Sequence, residues 1–175
     1  MGWSLSRFEP RDLELIRFAL LAAGKALFLT NAFESKCRFV LRIANLEAHI
    51  KTNPDASLAD AIASLAKDKL LGQTINDLKK FPPVSESQLV ALERARDGRN
   101  FIAHEGAAFG SLQASSRSIR EHLTRLRAAV NDLVPGDDVV SRWVYEIEEK
   151  EVPSRHVMAN YPEMVERWVF GDLRT

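Results

Sequence analysis

Residues 92–106 of this 175-residue chain read LERARDGRNFIAHEG, and the placement of this run decides how the chain folds around it. A helix turns about 100° per residue, and on that period four apolar residues share one face: Leu92, Ala95, Ile102 and Ala103. Arg99 falls in the middle of that face. A charged group on an apolar face is unfavourable unless it is paired or reaches water. The sequence therefore predicts that Arg99 meets a carboxylate, a ligand phosphate or an interface groove.

The same run carries a pair of groups suited to chemistry on a phosphodiester. An arginine can bind phosphate through two parallel hydrogen bonds. A histidine, with an unperturbed pKa of about 6.5, exchanges protons near neutral pH. Asn100 and His104 are four residues apart and are neighbours on the helix, whereas Arg99 and His104 point roughly 140° apart. A bend near Gly98, or a second copy of the helix across a two-fold axis, would bring these groups into one pocket.

The segment Arg99-Asn100-x-x-x-His104 resembles the Arg-polar-x-His motif of HEPN domains (higher eukaryotes and prokaryotes nucleotide-binding), in which three to five residues separate the polar residue from the histidine. HEPN domains are all-helical, and many are metal-independent endoribonucleases whose site forms at a homodimer interface. The resemblance covers roughly residues 10 to 134. It implies that Arg99 binds phosphate, Asn100 orients the site and His104 transfers protons.

The resemblance also implies a function and a set of partners. We expect RNA cleavage by attack of the ribose 2′-hydroxyl, in a toxin or phage-defence effector that is a homodimer and is controlled by an antitoxin protein. Two alternatives stay open. The chain could be a non-catalytic HEPN-like module that binds a partner protein or a nucleotide, or a dimeric scaffold in which Arg99 pairs internally. Without the resemblance, the polar residues of this helix read as a solvated stripe.

Hydrophobic periodicity predicts an all-α protein, an antiparallel helical bundle with extra C-terminal helices. We expect residues 1–134 to form the bundle that carries the motif and residues 135–175 to form an extension packed on the same domain. Pro10 should begin the first helix, and Asn31 with Glu34 should cap a second one unless the first simply continues. The remaining helices are expected over these ranges: from Ser57 to about Leu71, Ile75–Phe81, Glu86 to about Ala107, Leu112–Val134, Val139–Val152 and Pro162–Phe170.

Bulk charge does not indicate nucleic-acid binding, because 24 basic residues balance 24 acidic ones. An RNA-binding surface must therefore come from a local patch. Arg96 lies near Arg99 on the helical wheel, and Arg117, Arg120 and Arg127 lie together beside the apolar stripe of a later helix. We predict RNA contacts for all four, although such residues also occur as solvent-exposed ion pairs.

Other functional classes receive little support from the sequence. A single cysteine cannot build a disulfide framework, and neither the cysteine nor the histidines have metal-ligand spacing. No phosphate-binding glycine loop or nucleophile elbow occurs. The start of the chain lacks the features of a signal peptide, and charged residues interrupt the apolar run of residues 13–29. We predict no metal, no cofactor, no membrane association and a cytoplasmic location.

Overall fold

The structure, a computed structural model, describes residues 12–63, 65, 71–79, 84–108 and 115–171, and for residues 155–158 only the backbone. This part of the chain folds into helices that share one hydrophobic core, and it contains no strand. The predicted all-α bundle is confirmed. The helices are α1 (Leu13–Thr52), α2 (Leu58–Ala63), α3 (Leu71–Leu78), α4 (Glu86–Glu105), α5 (Ser116–Glu149) and α6 (Arg155–Phe170).

Helix α1 is continuous over 40 residues. It begins after Asp12, whose Oδ1 accepts a hydrogen bond from the backbone N–H of Leu15 at 3.0 Å. Pro10, the predicted start, lies outside the described residues. The predicted cap at Asn31 is wrong, and the alternative of a continuing helix is confirmed. An Asn–Glu pair marks a helix start only where the chain turns, and here apolar burial continues on both sides of it.

Two other predicted helix starts, at Ser57 and Ser85, are confirmed by their capping hydrogen bonds. The Ser57 hydroxyl accepts from the backbone N–H of Asp60, and α2 follows it at once. Ser85 and Gln88 form a complete capping box at the start of α4, each side chain bonding the backbone of the other. These caps are local hydrogen bonds between near neighbours, which is why sequence alone locates them.

Helix α5 corrects the largest helix-boundary error. Pro135 and Gly136 should have ended a helix, but α5 runs through both from Ser116 to Glu149. A proline inside a helix leaves the carbonyl four residues earlier, here that of Asn131, without its donor. Pro135 lies exposed at the surface, so that carbonyl can bond water. The boundary predicted between residues 134 and 135 therefore falls within a single helix, and the division of the chain into bundle and extension stays a prediction.

Helix α6 also contains a proline that was expected to begin it. The helix starts at Arg155, seven residues before Pro162, and ends at Phe170. Gly171 closes it as predicted, with a φ of 69° and its N–H bonded to the carbonyl of Arg167 at 2.8 Å. A φ in that range suits glycine because no side chain opposes it.

Contacts between the helices show their relative directions. Gly98 of α4 approaches Ala129 of α5, and the later Gly106 bonds the earlier His122, so α4 is antiparallel to α5. Arg99 of α4 bonds Glu34 of α1, and the later His104 shares a groove with the earlier Leu27, so α4 is antiparallel to α1 as well. Helices α1 and α5 run parallel to one another. The centre of the core holds large side chains that are almost fully buried: Phe33, Ile75, Leu92, Ile119, Leu126 and Leu133.

A charged cluster joins α1, α5 and α6 inside this core. Asp137 is 3% exposed. Its Oδ1 lies 2.6 Å from Lys36 Nζ, an ion pair outside aligned hydrogen-bond geometry, and its Oδ2 accepts a hydrogen bond from the Tyr161 hydroxyl. The lysine also donates to Ser141 Oγ at 2.8 Å. Burial of Asp137 is tolerated because a cation and a hydroxyl compensate its charge.

Candidate active site on the motif helix

Arg99 projects from α4 towards the middle of α1, where it meets a carboxylate. Its Nη2 and Nε donate to Oε2 of Glu34 at 2.6 and 3.2 Å. Glu34 is 9% exposed, and the Arg99 side chain keeps 22% of its surface exposed. The first of the three expected environments for Arg99, a carboxylate partner, is therefore present.

The same carboxylate binds a second arginine. Oε1 of Glu34 accepts from Nη2 of Arg38, one turn further along α1, at 2.5 Å. Nε of Arg38 is buried and has no hydrogen-bond partner in the described part of the chain. Two guanidinium groups on one carboxylate leave a formal charge of +1 at this point between α1 and α4.

Sequence reasoning missed Glu34 and Arg38 as members of the site. Glu34 was interpreted only as a capping residue, and Arg38 was not singled out. Their spacing was a usable signal, because Glu and Arg four residues apart on a helix form an ion pair across one turn. The contact with Arg99, across 65 positions of sequence, had no local signal.

Asn100 lies on the exposed side of α4 and contacts Arg99. Its Oδ1 accepts from Arg99 Nη1 at 3.2 Å. This bond and the two bonds to Oε2 of Glu34 hold the guanidinium group from two sides. Asn100 thus orients the arginine, whereas no hydrogen bond joins it to His104 among the described residues.

His104 lies exposed on α4, about one and a half turns beyond Arg99. It lines an open groove of about 460 Å³ between α1 and the end of α4, which Arg99 does not line. The other lining residues are mostly apolar, and they include Leu20, Gly24, Leu27, Ala103 and Ala107. Within one chain the structure thus brings Arg99 and Asn100 together but leaves His104 apart from them, with no ion pair or hydrogen bond to its ring in the residues described.

Helix α5 holds the last turn of α4. His122, which is buried, bonds the carbonyl of Gly106 through Nε2 at 3.0 Å and stacks on Phe101 with ring centroids 5.9 Å apart. Arg125 donates to Glu105 at 2.9 Å and lies over the Phe101 ring. Glu105, the neighbour of His104 in sequence, therefore pairs with α5. These contacts, at Phe101 and at Gly106, hold the α4 backbone before and after His104.

The four arginines predicted to bind RNA fall into two groups. Three have carboxylate partners at 2.9 Å: Arg96 with Asp97, Arg117 with Glu121 and Arg127 with Glu166. Arg120 is exposed and forms no ion pair with any residue that the structure describes. Arg120 and Arg127 line one cleft between α1, α5 and α6, while Arg96 lies on α4. RNA binding by these residues stays a prediction.

Neither a metal site nor a membrane span appears in the described ranges. No group of three or more His, Cys, Asp or Glu side chains in them could hold an ion. None of the helices there is long and apolar enough to cross a bilayer.

Comparison with known proteins leaves the site to be interpreted from its own chemistry. No protein-family model, curated protein or solved structure matches this chain.

Proposed function

We propose that this chain is a metal-independent endoribonuclease of HEPN type that acts as a homodimer. The observation that carries the proposal is the Arg99–Glu34–Arg38 cluster, which leaves an excess positive charge between α1 and α4, the helix that also carries His104. Buried carboxylates fix arginines in one orientation, and a fixed cation can stabilise charge that develops on a phosphate. His104, about one and a half turns further along α4, supplies an exposed imidazole as the proton-transfer group.

The proposed reaction needs only side chains of this chain and RNA. The ribose 2′-oxygen attacks phosphorus as His104 of one copy takes its proton, and the P–O5′ bond breaks as the protonated His104 of the other copy delivers its proton to the 5′-oxygen. The products are a 2′,3′-cyclic phosphate and a 5′-hydroxyl. Arg99 stabilises the charge on the phosphorane oxygens, and Asn100 keeps the guanidinium aligned.

A second copy of the chain completes the proposed site. Leu20 is 53% exposed and Leu27 is 42% exposed, and both flank His104 across the groove. Exposed apolar surface of this kind commonly marks a protein interface. A two-fold axis at the groove would place the same patch on both sides. Antiparallel pairing of the two motif helices then brings the cation of one copy towards the imidazole of the other.

An RNA cleavage assay with matched variants tests this proposal. Wild-type protein should cleave single-stranded RNA in EDTA, leave DNA intact and release cyclic phosphate ends. His104→Ala should lose cleavage by about 100-fold or more, as expected for removal of a general acid or base. His49→Ala, on α1 far from the groove, is the control and should cleave normally. The mechanism would be rejected if His104→Ala cleaved RNA at the wild-type rate. It would also be rejected if the wild-type protein lost its activity in EDTA.

A cellular experiment tests the toxin or phage-defence role. Expression in a bacterium should arrest growth and fragment RNA, whereas the His104→Ala protein should do neither. A co-expressed antitoxin should be recovered in complex with both proteins. Normal growth with intact RNA at high wild-type expression would contradict the toxin role.

The ion pair of Arg99 favours a second candidate, a non-catalytic module. The Arg99 guanidinium bonds Glu34 at 2.6 Å, and this contact would also be present if Arg99 only stabilised the packing of α4 on α1. In that case Arg99→Ala lowers stability, and the wild-type protein forms a stable complex with a partner protein or a nucleotide while RNA stays intact. Long incubation of purified protein with RNA separates the two candidates.

A further inference from the structure

A second cleft lies on the opposite side of α1 from His104. It has a volume of about 490 Å³ and is formed by the first turns of α1, the first half of α5 and the end of α6. Small-molecule sites commonly have roughly 300 to 1,000 Å³. Leu15 and Phe18 face this cleft from α1, whereas Leu20 and Leu27 face the groove of His104. The two spaces are therefore separate.

The floor of the cleft is apolar and partly aromatic. Leu15, Phe18, Leu123 and Phe170 line it. Such a floor binds an alkyl or aryl body by removing its surface from water. Hydrogen-bonding groups are few, since the Thr124 hydroxyl is already bonded to the carbonyl of Arg120 at 3.0 Å. The edges of a nucleotide base would find little to pair with.

Among the described side chains of the charged rim, one cation, Arg120, has no ion-pair partner. Arg127 pairs with Glu166 at 2.9 Å and lies over the Phe170 ring, 4.8 Å from its centroid. The carboxylate of Asp12 caps α1 through Oδ1. Arg120 is exposed and has no ion pair with the residues described. Arg120 can therefore pair with one carboxylate, whereas the charged Asp12 carboxylate on the same rim would repel a second negative group.

We propose that this cleft binds an amphipathic monocarboxylate, with its carboxylate on Arg120 and its apolar chain on Phe18 and Leu123. Arginine and carboxylate form two parallel charge-assisted hydrogen bonds. The ligand contacts both α1 and α5, so it stabilises their packing by mass action. The proposal does not rest on ribonuclease activity and concerns a different surface.

Calorimetric titration of the 175-residue chain with decanoate, below the micellar concentration of decanoate, tests the proposal. Decanoate should bind at one site per chain and raise the unfolding temperature. Decanol has a chain of the same length but no charge and should bind at least about tenfold more weakly, the loss expected for one charge-assisted interaction. Adenosine monophosphate should bind more weakly still.

Two variants on α5 make the test specific. Arg120→Gln should weaken decanoate binding by about tenfold or more while leaving decanol unchanged. Arg117→Gln removes an exposed arginine one turn earlier, outside the cleft, and should bind decanoate as the wild type does. Equal binding of decanoate and decanol, equal loss in both variants, or tighter binding of adenosine monophosphate would overturn the proposal. His104→Ala protein should bind decanoate normally, which separates this result from any failure of the proposed nuclease.

Discussion

Glu34 lies buried on α1 with an arginine on each carboxylate oxygen. A lone carboxylate at this depth would be destabilising, and each guanidinium compensates part of that cost. The dependence is mutual, because Arg38 and Arg99 both rely on Glu34 for their charge balance. The motif arginine is therefore positioned by a residue on another helix, and its orientation is set before any ligand arrives.

Replacing Glu34 should expose this dependence. Glu34→Gln leaves two guanidinium groups close together without a counter-charge. We expect the free energy of unfolding to fall by about 2 kcal/mol, less than for a fully buried pair because Arg38 and Arg99 are partly exposed. Chemical denaturation measures the change. Glu47→Gln, at an exposed position of the same helix, is the control and should stay within about 0.5 kcal/mol of wild type. An equal effect of both variants would contradict the assigned role.

At the scale of elements, the packing of α4 on α5 depends on two glycines. A Cβ added to Gly98 would lie 2.4 Å from the carbonyl oxygen of Ala129 and 3.1 Å from the backbone nitrogen of Leu133. A Cβ at Gly136 would lie 2.4 Å from Cβ of Ala95. Helices approach this closely only where a side chain is missing. Gly98 was expected as the site of a bend, and α4 instead continues through it as a contact surface.

Adding one methyl group at the helix crossing should be destabilising. Gly98→Ala forces backbone apart, since both nearest groups are main-chain atoms, and we expect a loss of about 1–3 kcal/mol. Gly72→Ala, on α3, meets nothing within 4 Å and should gain up to about 1 kcal/mol from helix propensity. Thermal unfolding of the two proteins gives the comparison. A Gly98→Ala protein as stable as the Gly72→Ala protein would show that the close approach is not needed.

Pro135 offers a second measurement at this scale. Pro135→Ala restores an N–H donor to the carbonyl of Asn131 and removes the ring from the turn before it. The side chain is exposed, so little packing is lost. We expect stability to rise by roughly 1–2 kcal/mol, the gain in helix propensity being partly offset by a more flexible unfolded chain. A decrease in the denaturation midpoint would mean that packing requires the geometry of the proline.

Across the whole molecule, the Asp137 cluster holds α6 to the bundle, and its charge acts on two buried or half-buried weak acids, Tyr161 and Cys37. Burial, followed by the charge of Asp137, raises the pKa of the Tyr161 hydroxyl well above its ordinary 10.0. The same two causes, in the same order, raise the pKa of the Cys37 thiol well above 9.0. Both groups therefore stay protonated in the folded chain at pH values where they ionise in the unfolded one.

This difference predicts alkaline instability. Below about pH 8 both groups are protonated in both states and their full contribution to stability is present. As pH rises above roughly 9, the unfolded chain releases protons that the folded chain retains, so the free energy of unfolding falls. Urea titrations at several pH values should show the decline, and Tyr161→Phe should make it shallower while lowering stability near neutral pH. An unchanged slope in this variant would place the source of the decline elsewhere.

The sequence alone determined the helical content and the places where local bonds begin a helix. Ser57, Ser85 and Gly171 act through atoms a few residues away, so their effect does not depend on the rest of the fold. Periodicity likewise identified the apolar stripe of α5, which includes Ile119, Leu126, Val130 and Leu133, all buried. It also identified Arg99 as a charge in need of a partner.

Only the tertiary structure decided which residue is the partner of Arg99. Glu34 meets Arg99 across 65 positions because α1 and α4 pack antiparallel, and local patterns carry no record of that pairing. Tertiary structure also decided that α5 and α6 continue through Pro135 and Pro162. Burial on the opposite face of each helix outweighs the local tendency of proline to break it. The groove of His104 and the cleft of Arg120 are spaces between helices, and they exist only once those helices have packed.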